Sequence, residues 1–214
     1  MKRLSPASTH TLKRLALAIG AAAAVTTSLT ACFPLAVGAA AGTALVATDR
    51  RTSGAQLEDE GIELRAMSRL RNEIGDRVHV NLTSFNRQAL LTGEAPTAED
   101  KQRVEQIVSR VENVNSIVNE IAVMGNSTLT QRSSDTLVTG RVKANLIDAR
   151  DLQLNAFKVV TERGTTYLMG RVTQREADRA TNVVRATPGV QKVVRILEVI
   201  SEDELARLKP APAK

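Results

Sequence analysis

One cysteine, two histidines, no tryptophan, one tyrosine and three phenylalanines are spread over 214 residues. A single cysteine, Cys32, excludes an internal disulfide framework and any cluster of cysteine metal ligands. Aromatics at 2% leave almost no platforms on which single-stranded nucleic acid could stack. This scarcity tempers the charge. Lys and Arg number 29 against 23 Asp and Glu, and the net +6 would otherwise invite a nucleic-acid reading. The length suits one or two small domains rather than a large enzyme core.

Charge is also missing locally. Lys2, Arg3, Lys13 and Arg14 form a basic start, and no charged residue follows from Leu15 to Ala47. Leu15–Val25 has the length of a secretory h-region, and Leu29-Thr30-Ala31-Cys32 comes just after it. That tetrapeptide resembles the lipobox of bacterial lipoproteins, which implies cleavage before Cys32 and lipidation of its thiol. The alternative is one uncleaved span over Leu15–Ala47, for which Gly20, Pro34, Gly38 and Gly42 make a mediocre helix. Phe33 rather than Asp follows the cysteine, a pattern that resembles outer-membrane lipoproteins. Removing residues 1–31 takes away four basic residues and no acid, so 25 basic face 23 acidic residues and the net falls to +2. The global case for nucleic acid goes with it, and so does His10. His79, between Val78 and Val80 in an alternating stretch, reads as a solvent-facing strand residue. One histidine and one acylated cysteine cannot assemble a zinc site or a nucleophile–base pair, so no cofactor and no enzymatic site is expected.

What the rest contains is a repeat. Val80, Leu82, Leu91 and Gly93 recur 77 residues later as Phe157, Val159, Leu168 and Gly170. At an offset of 76, Ile107, Val108, Val114 and Ile117 then match Val183, Val184, Val190 and Val193. Each copy predicts a helix (about Ile62–Ile74 and Thr136–Ala149), two strands joined by a polar turn, a capped helix and a last Val/Ile-rich strand. Thr173-Gln-Arg-Glu176 fits a capping box, with Thr97-Ala-Glu-Asp100 as a weaker counterpart. The expected organisation is a signal peptide over 1–31, a tether over 32–56, a first module over 57–124, a linker over 125–134, a second module over 135–202 and a disordered tail over 203–214. Copies of this size have thin cores, so docking of one on the other would stabilise both.

Val160-Thr-Glu-Arg-Gly164, Tyr167-Leu-Met-Gly170, Val172-Thr-Gln-Arg-Glu-Ala177 and Pro188-Gly-Val190 resemble the BON domain, and the first copy resembles it more weakly. The resemblance implies an α+β fold of two tandem αββαβ modules, each with two helices on a three-stranded mixed sheet. With the lipobox it implies a non-enzymatic outer-membrane lipoprotein facing the periplasm, binding anionic phospholipid such as phosphatidylglycerol or cardiolipin. It also implies support for envelope integrity, enrichment at division sites, and contact with outer-membrane protein assembly or division machinery.

Charge divides unevenly between the copies. Residues 57–124 hold 8 basic and 12 acidic residues, net −4, whereas residues 135–202 hold 11 and 8, net +3. The second copy is therefore the candidate for anionic headgroups, each nearby cation contributing about 1 kcal/mol. Its first helix places Val138, Val142, Leu146 and Ala149 on one face and Leu137, Arg141 and Ala144 on the other, with Lys143 and Ile147 at the margin. An apolar side chain beside a cation suits an interfacial helix. The resemblance adds that better-known members carry Trp at the place of Leu137, and leucine is the weaker interfacial anchor. Arg175, Arg179 and Arg185 read as a solvated helix face. No constellation for acid–base catalysis is evident, and the GXXG loop of a KH-type RNA module is absent. A protein-interaction adaptor without lipid recognition beyond its anchor remains the alternative.

Overall fold

The computed structural model describes residues 49–208. Thr52 opens the first module. Its hydroxyl accepts from the Ala55 N–H, and helix α1 runs over Ser53–Glu73, burying Ile62, Ala66 and Leu70 at intervals of four. A 3₁₀ turn over Gly75–Arg77 leads into strand β1 (His79–Phe85), which pairs antiparallel with β2 (Gln88–Ala95). Helix α2 (Ala98–Val108) begins under the Thr97 cap, and β3 (Ser116–Asn119) and β4 (Ala122–Val123) both run parallel to β2. The expected last strand is thus broken in two. Its partner β2 carries Gly93 at φ 114°, and a Cβ there would overlap the His79 carbonyl oxygen. The register to β2 is the same on both sides of the break, and the Glu120 N–H still donates to the Leu91 carbonyl, so the two pieces read as one strand interrupted at Glu120 and Ile121.

The second module repeats the order without that break. Helix α3 (Leu129–Asp148) buries Val138, Val142 and Leu146; β5 (Phe157–Glu162) and β6 (Thr165–Thr173) form the hairpin; α4 (Gln174–Arg185) follows; and β7 (Lys192–Ile200) lies parallel to β6 along nine residues. Both partners of the Thr173–Glu176 capping box are made. A short helix α5 (Glu202–Leu208) closes the described chain, where a disordered tail was expected; Leu205 is buried and Arg171 pairs with Glu204.

Period-2 alternation sends the two faces of each sheet to different cores. In β2, Ala89 and Leu91 point at α1 and α2, while Leu90 points away. In β6, Leu168 and Val172 point at α3 and α4, while Tyr167 and Met169 point away. Phe85, Leu90, Tyr167, Met169 and Ile196 meet in a third core, joined by Val118, Val160 and Val194. The sheets therefore stack face to face, giving four layers in the order helices, sheet, sheet, helices.

Helix starts differ from the sequence reading. Residues 129–134, expected as linker, are the first turns of α3, and residues 53–56, expected as tether, are the first turn of α1. Thr52 and Thr128 stand 76 apart, the repeat offset, and each caps its helix; Thr128 and Gln131 complete a capping box. Those first turns bury no apolar side chain, so the buried apolar stripe begins only at Ile62 and Val138. The signal peptide, Cys32 and residues 209–214 lie outside the described residues.

Candidate functional site

Two aspartates set the hairpins that the helices rest on. Asp59 of α1 accepts from the N–H groups of Asn86 and Arg87 at 2.7 and 2.8 Å. Asp135 of α3, again 76 residues on, accepts from Arg163 and Gly164 at 2.8 and 2.9 Å. Both turns lie in the left-handed region, with φ 50° and 65° at Asn86 and Arg87 and 53° and 74° at Arg163 and Gly164. Such a turn suits a right-twisted hairpin and leaves its two N–H groups pointing at one carboxylate. Burial alone would raise the Asp59 pKa. Hydrogen bonds from Ser84, Arg87, Arg51 and Asn86 outweigh it and hold the carboxyl below its ordinary range.

Held at Asp135 and along its apolar stripe, α3 exposes its other side. Leu137 is 63% exposed and Ile147 61% exposed, and Arg141, Lys143 and Ala144 are exposed with them. Leu137, Arg141 and Ala144 occupy adjacent turns of one line, and Lys143 and Ile147 lie one turn apart beside it. Arg141 and Lys143 make no ion pair among the described residues. Lys158, Arg163, Arg171, Arg175, Arg179 and Arg195 of the same module do, while Arg150, Arg185 and Lys192 likewise have none among the described residues. The sequence reading omitted Leu129, 78% exposed in the first turn of α3, because that turn was assigned to the linker. Of the flanking arginines, Arg179 meets Asp151 at 3.2 Å and Arg175 reaches Glu202 at 3.8 Å, while Arg185 is exposed.

His79 does not face open solvent as the alternation suggested. Its Nδ1 lies 3.1 Å from Oε2 of Glu94, a fully buried carboxylate that also accepts from Ser127 and lies 3.4 Å from Arg163 of the second module. The second sheet, stacked over β1, covers the face that would otherwise be wet. Burial works against ionisation of Glu94, but the Ser127, His79 and Arg163 hydrogen bonds bring its pKa below the ordinary 4.5. Next to it, a cleft of about 550 Å³ is lined by His79 and Asn81 of β1, Arg132 and Thr136 of α3, and Thr161 and Glu162 of β5. Glu162 takes one hydrogen bond, from Asn81, and no ion pair among the described residues. Burial raises its pKa against that bond, and the Glu94 and Asp135 charges raise it further. Burial also lifts the Tyr167 hydroxyl to about 12, helped by Glu120 and Glu162. Among the described residues no three His, Cys, Asp or Glu side chains are placed to hold a metal ion, and no helix is long and apolar enough to cross a membrane.

Comparison with known proteins agrees with this architecture. The chain is 32% identical over 191 residues to the Outer membrane lipoprotein DolP of Haemophilus influenzae, covering 88% of this chain and 97% of that protein. It is 29% identical over 154 residues to the 21 kDa hemolysin of Actinobacillus pleuropneumoniae, covering 71% and 79% respectively. Among solved structures, a match to CdsD, a structural protein of the type III secretion system of Chlamydia trachomatis, covers 72% of this chain and 96% of that one. At 14% identity and a TM-score of 0.29 it carries no argument. The BON domain model matches residues 58–125 and again 134–201. The two halves of the four-layer stack coincide with those two matches, and the chain belongs to the BON domain family.

Proposed function

We propose that the chain is a non-enzymatic envelope lipoprotein, anchored to the outer membrane through acylated Cys32 and facing the periplasm, whose second module reads anionic phospholipid. The observation that carries the lipid reading is the exposed side of α3, where Leu137 and Ile147 flank two cations, Arg141 and Lys143, that no carboxylate of the described residues neutralises. Side chains of that kind can enter the headgroup boundary while their cationic neighbours meet phosphate. Similarity to a protein named as an outer-membrane lipoprotein supports the placement. Support of envelope integrity, including at the division site, follows as the biological role of such a protein.

Residues 33–214 should co-sediment with vesicles containing phosphatidylglycerol or cardiolipin and not with neutral vesicles. Leu137→Glu should weaken that binding about ten-fold, the cost of losing one buried apolar contact and placing a charge against anionic lipid. Equal binding by mutant and parent would remove α3 from the account. A second reading has its own observation. On α1, Leu57 and Leu64 are 70% and 74% exposed on the acidic module, where anionic lipid is disfavoured. That face suits a protein partner of the envelope assembly or division machinery, with the first module acting as adaptor.

A further inference from the structure

Adjacent arginines just ahead of α1 grip opposite modules. Arg50 is buried, with its side chain only 5% exposed, and its two terminal nitrogens each sit 2.7 Å from a carboxylate oxygen of Glu176, in the first turn of α4. Nη1 also donates to the Arg171 carbonyl at 3.0 Å. Arg51 turns the other way. It pairs with Asp59 of α1 at 2.7 Å and with Asp49 at 2.8 Å, and its guanidinium lies 4.3 Å over the Phe85 ring, itself part of the core between the sheets. A bidentate, dry guanidinium–carboxylate pair is geometrically specific, and its loss would leave Glu176 buried without its cation.

We infer that residues 49–51 form a clasp that staples the two modules together and routes the anchor side of the chain out beside the second module. The helices α3 and α4 run antiparallel: Asn145 bonds Thr187 past the end of α4, while Asp151, just past the end of α3, meets Arg179 in the first half of α4. Glu176 lies within one turn of Arg179, so Arg50 is held at the end of the module where Lys143, Ala144 and Ile147 sit. Only 17 residues separate Cys32 from Arg50, a span of at most about 60 Å. The consequence for the membrane rests on the lipoprotein reading; the clasp itself does not. With the clasp closed, the tether starts beside the exposed end of α3, so that face of the second module is held at high effective concentration near the bilayer.

The acylated full chain, reconstituted on vesicles of phosphatidylglycerol and phosphatidylethanolamine, tests both parts. The bond after Arg51 is a trypsin site, and the cut there is followed by mass as the fragment that begins at Thr52. Arg50→Ala and Glu176→Gln should each speed that cut about ten-fold or more. Glu176→Gln retains an oxygen for the Thr173 N–H, so it separates the clasp from the cap. Cleavage at the parent rate in both variants overturns the clasp. For the routing, the chain lacks tryptophan, so Ile147→Trp and, separately, Leu64→Trp supply single reporters. Brominated lipid should quench the first and not the second, and adding Arg50→Ala should narrow the difference. If the difference persists with the clasp open, the routing is wrong though the clasp stands. Should neither reporter be quenched in the parent, the lipid-facing reading of α3 and the routing fall together, whatever the trypsin rates show.

Discussion

Asp59 and Asp135 do the same work from the same position of the two copies, each closing a left-handed hairpin turn through two backbone N–H groups. Removing either carboxylate orphans both. Asp135→Ala should therefore cost about 2–4 kcal/mol, read as a lowered urea midpoint. Asp59→Ala should cost more, since Ser84 and Arg51 lose a partner too. The turns differ in one residue. Gly164 stands where the first copy has Arg87, an exposed side chain held at φ 65°. Arg87→Gly keeps the N–H to Asp59 and relieves that strain, and should stabilise by up to about 1 kcal/mol, a rise of about 2–4 °C in Tm. Glu162 is the opposite case, a mostly buried carboxylate with raised pKa and no ion pair among the described residues. Glu162→Gln should raise Tm at pH 7 by about 1–3 °C, because the amide avoids the repulsion from Glu94 and Asp135 while still bonding Asn81. A fall in Tm would mean that the charge is used.

Helices and strands show where local pattern and tertiary context part. The Thr173–Glu176 cap was legible because hydroxyl and carboxylate stand three apart before an apolar stripe. The caps at Thr52 and Thr128 were not, because the turns they start touch no core. Thr128→Ala should cost about 1 kcal/mol even so, seen as faster amide exchange in the first turn of α3. The glycines matched across the repeat have a steric reason. A Cβ on Gly170 would lie 2.5 Å from the Ala156 carbonyl oxygen, and Gly93 faces His79 in the same way. Gly93→Ala adds a φ of 114° to that overlap and should destabilise by more than about 3 kcal/mol, measured by urea unfolding.

At the scale of the whole molecule the buried carboxylates couple folding to pH. Asp59, Glu94 and Glu176 all have lowered pKa values in the fold; burial opposes this in each, and Glu176 owes its shift to Arg50 and the Thr173 N–H. They hold fewer protons folded than unfolded. Their stabilisation is complete above the ordinary values of 3.8 and 4.5 and is lost as pH falls through the depressed ones. Glu162 has the opposite sign, since its ionised form costs stability at neutral pH and that cost fades on mild acidification. Urea midpoints measured from pH 7 down to pH 3 should hold or rise slightly, then drop steeply below about pH 4.5. Glu162→Gln should flatten the first limb and leave the second. A midpoint that falls evenly from pH 7 would contradict both signs.

Much of this was written in the chain itself. Apolar residues at spacings of two and four, repeated at 76 and 77 residues, determine the strands, the helix faces and the duplication, because burying an apolar stripe needs only the period of the element that carries it. Leu137, Arg141, Lys143, Ala144 and Ile147 are readable for the same reason, since a helix face is set by 100° per residue. The packing between modules was not readable. Which face of each sheet is covered, whether His79 is wet, and that Arg50 and Arg51 part company toward different modules depend on groups as much as 126 residues apart. Only the stacking of the two sheets brings those groups together and takes the water away, and it is that loss of water that makes Glu94, Glu162 and the Arg50–Glu176 pair matter.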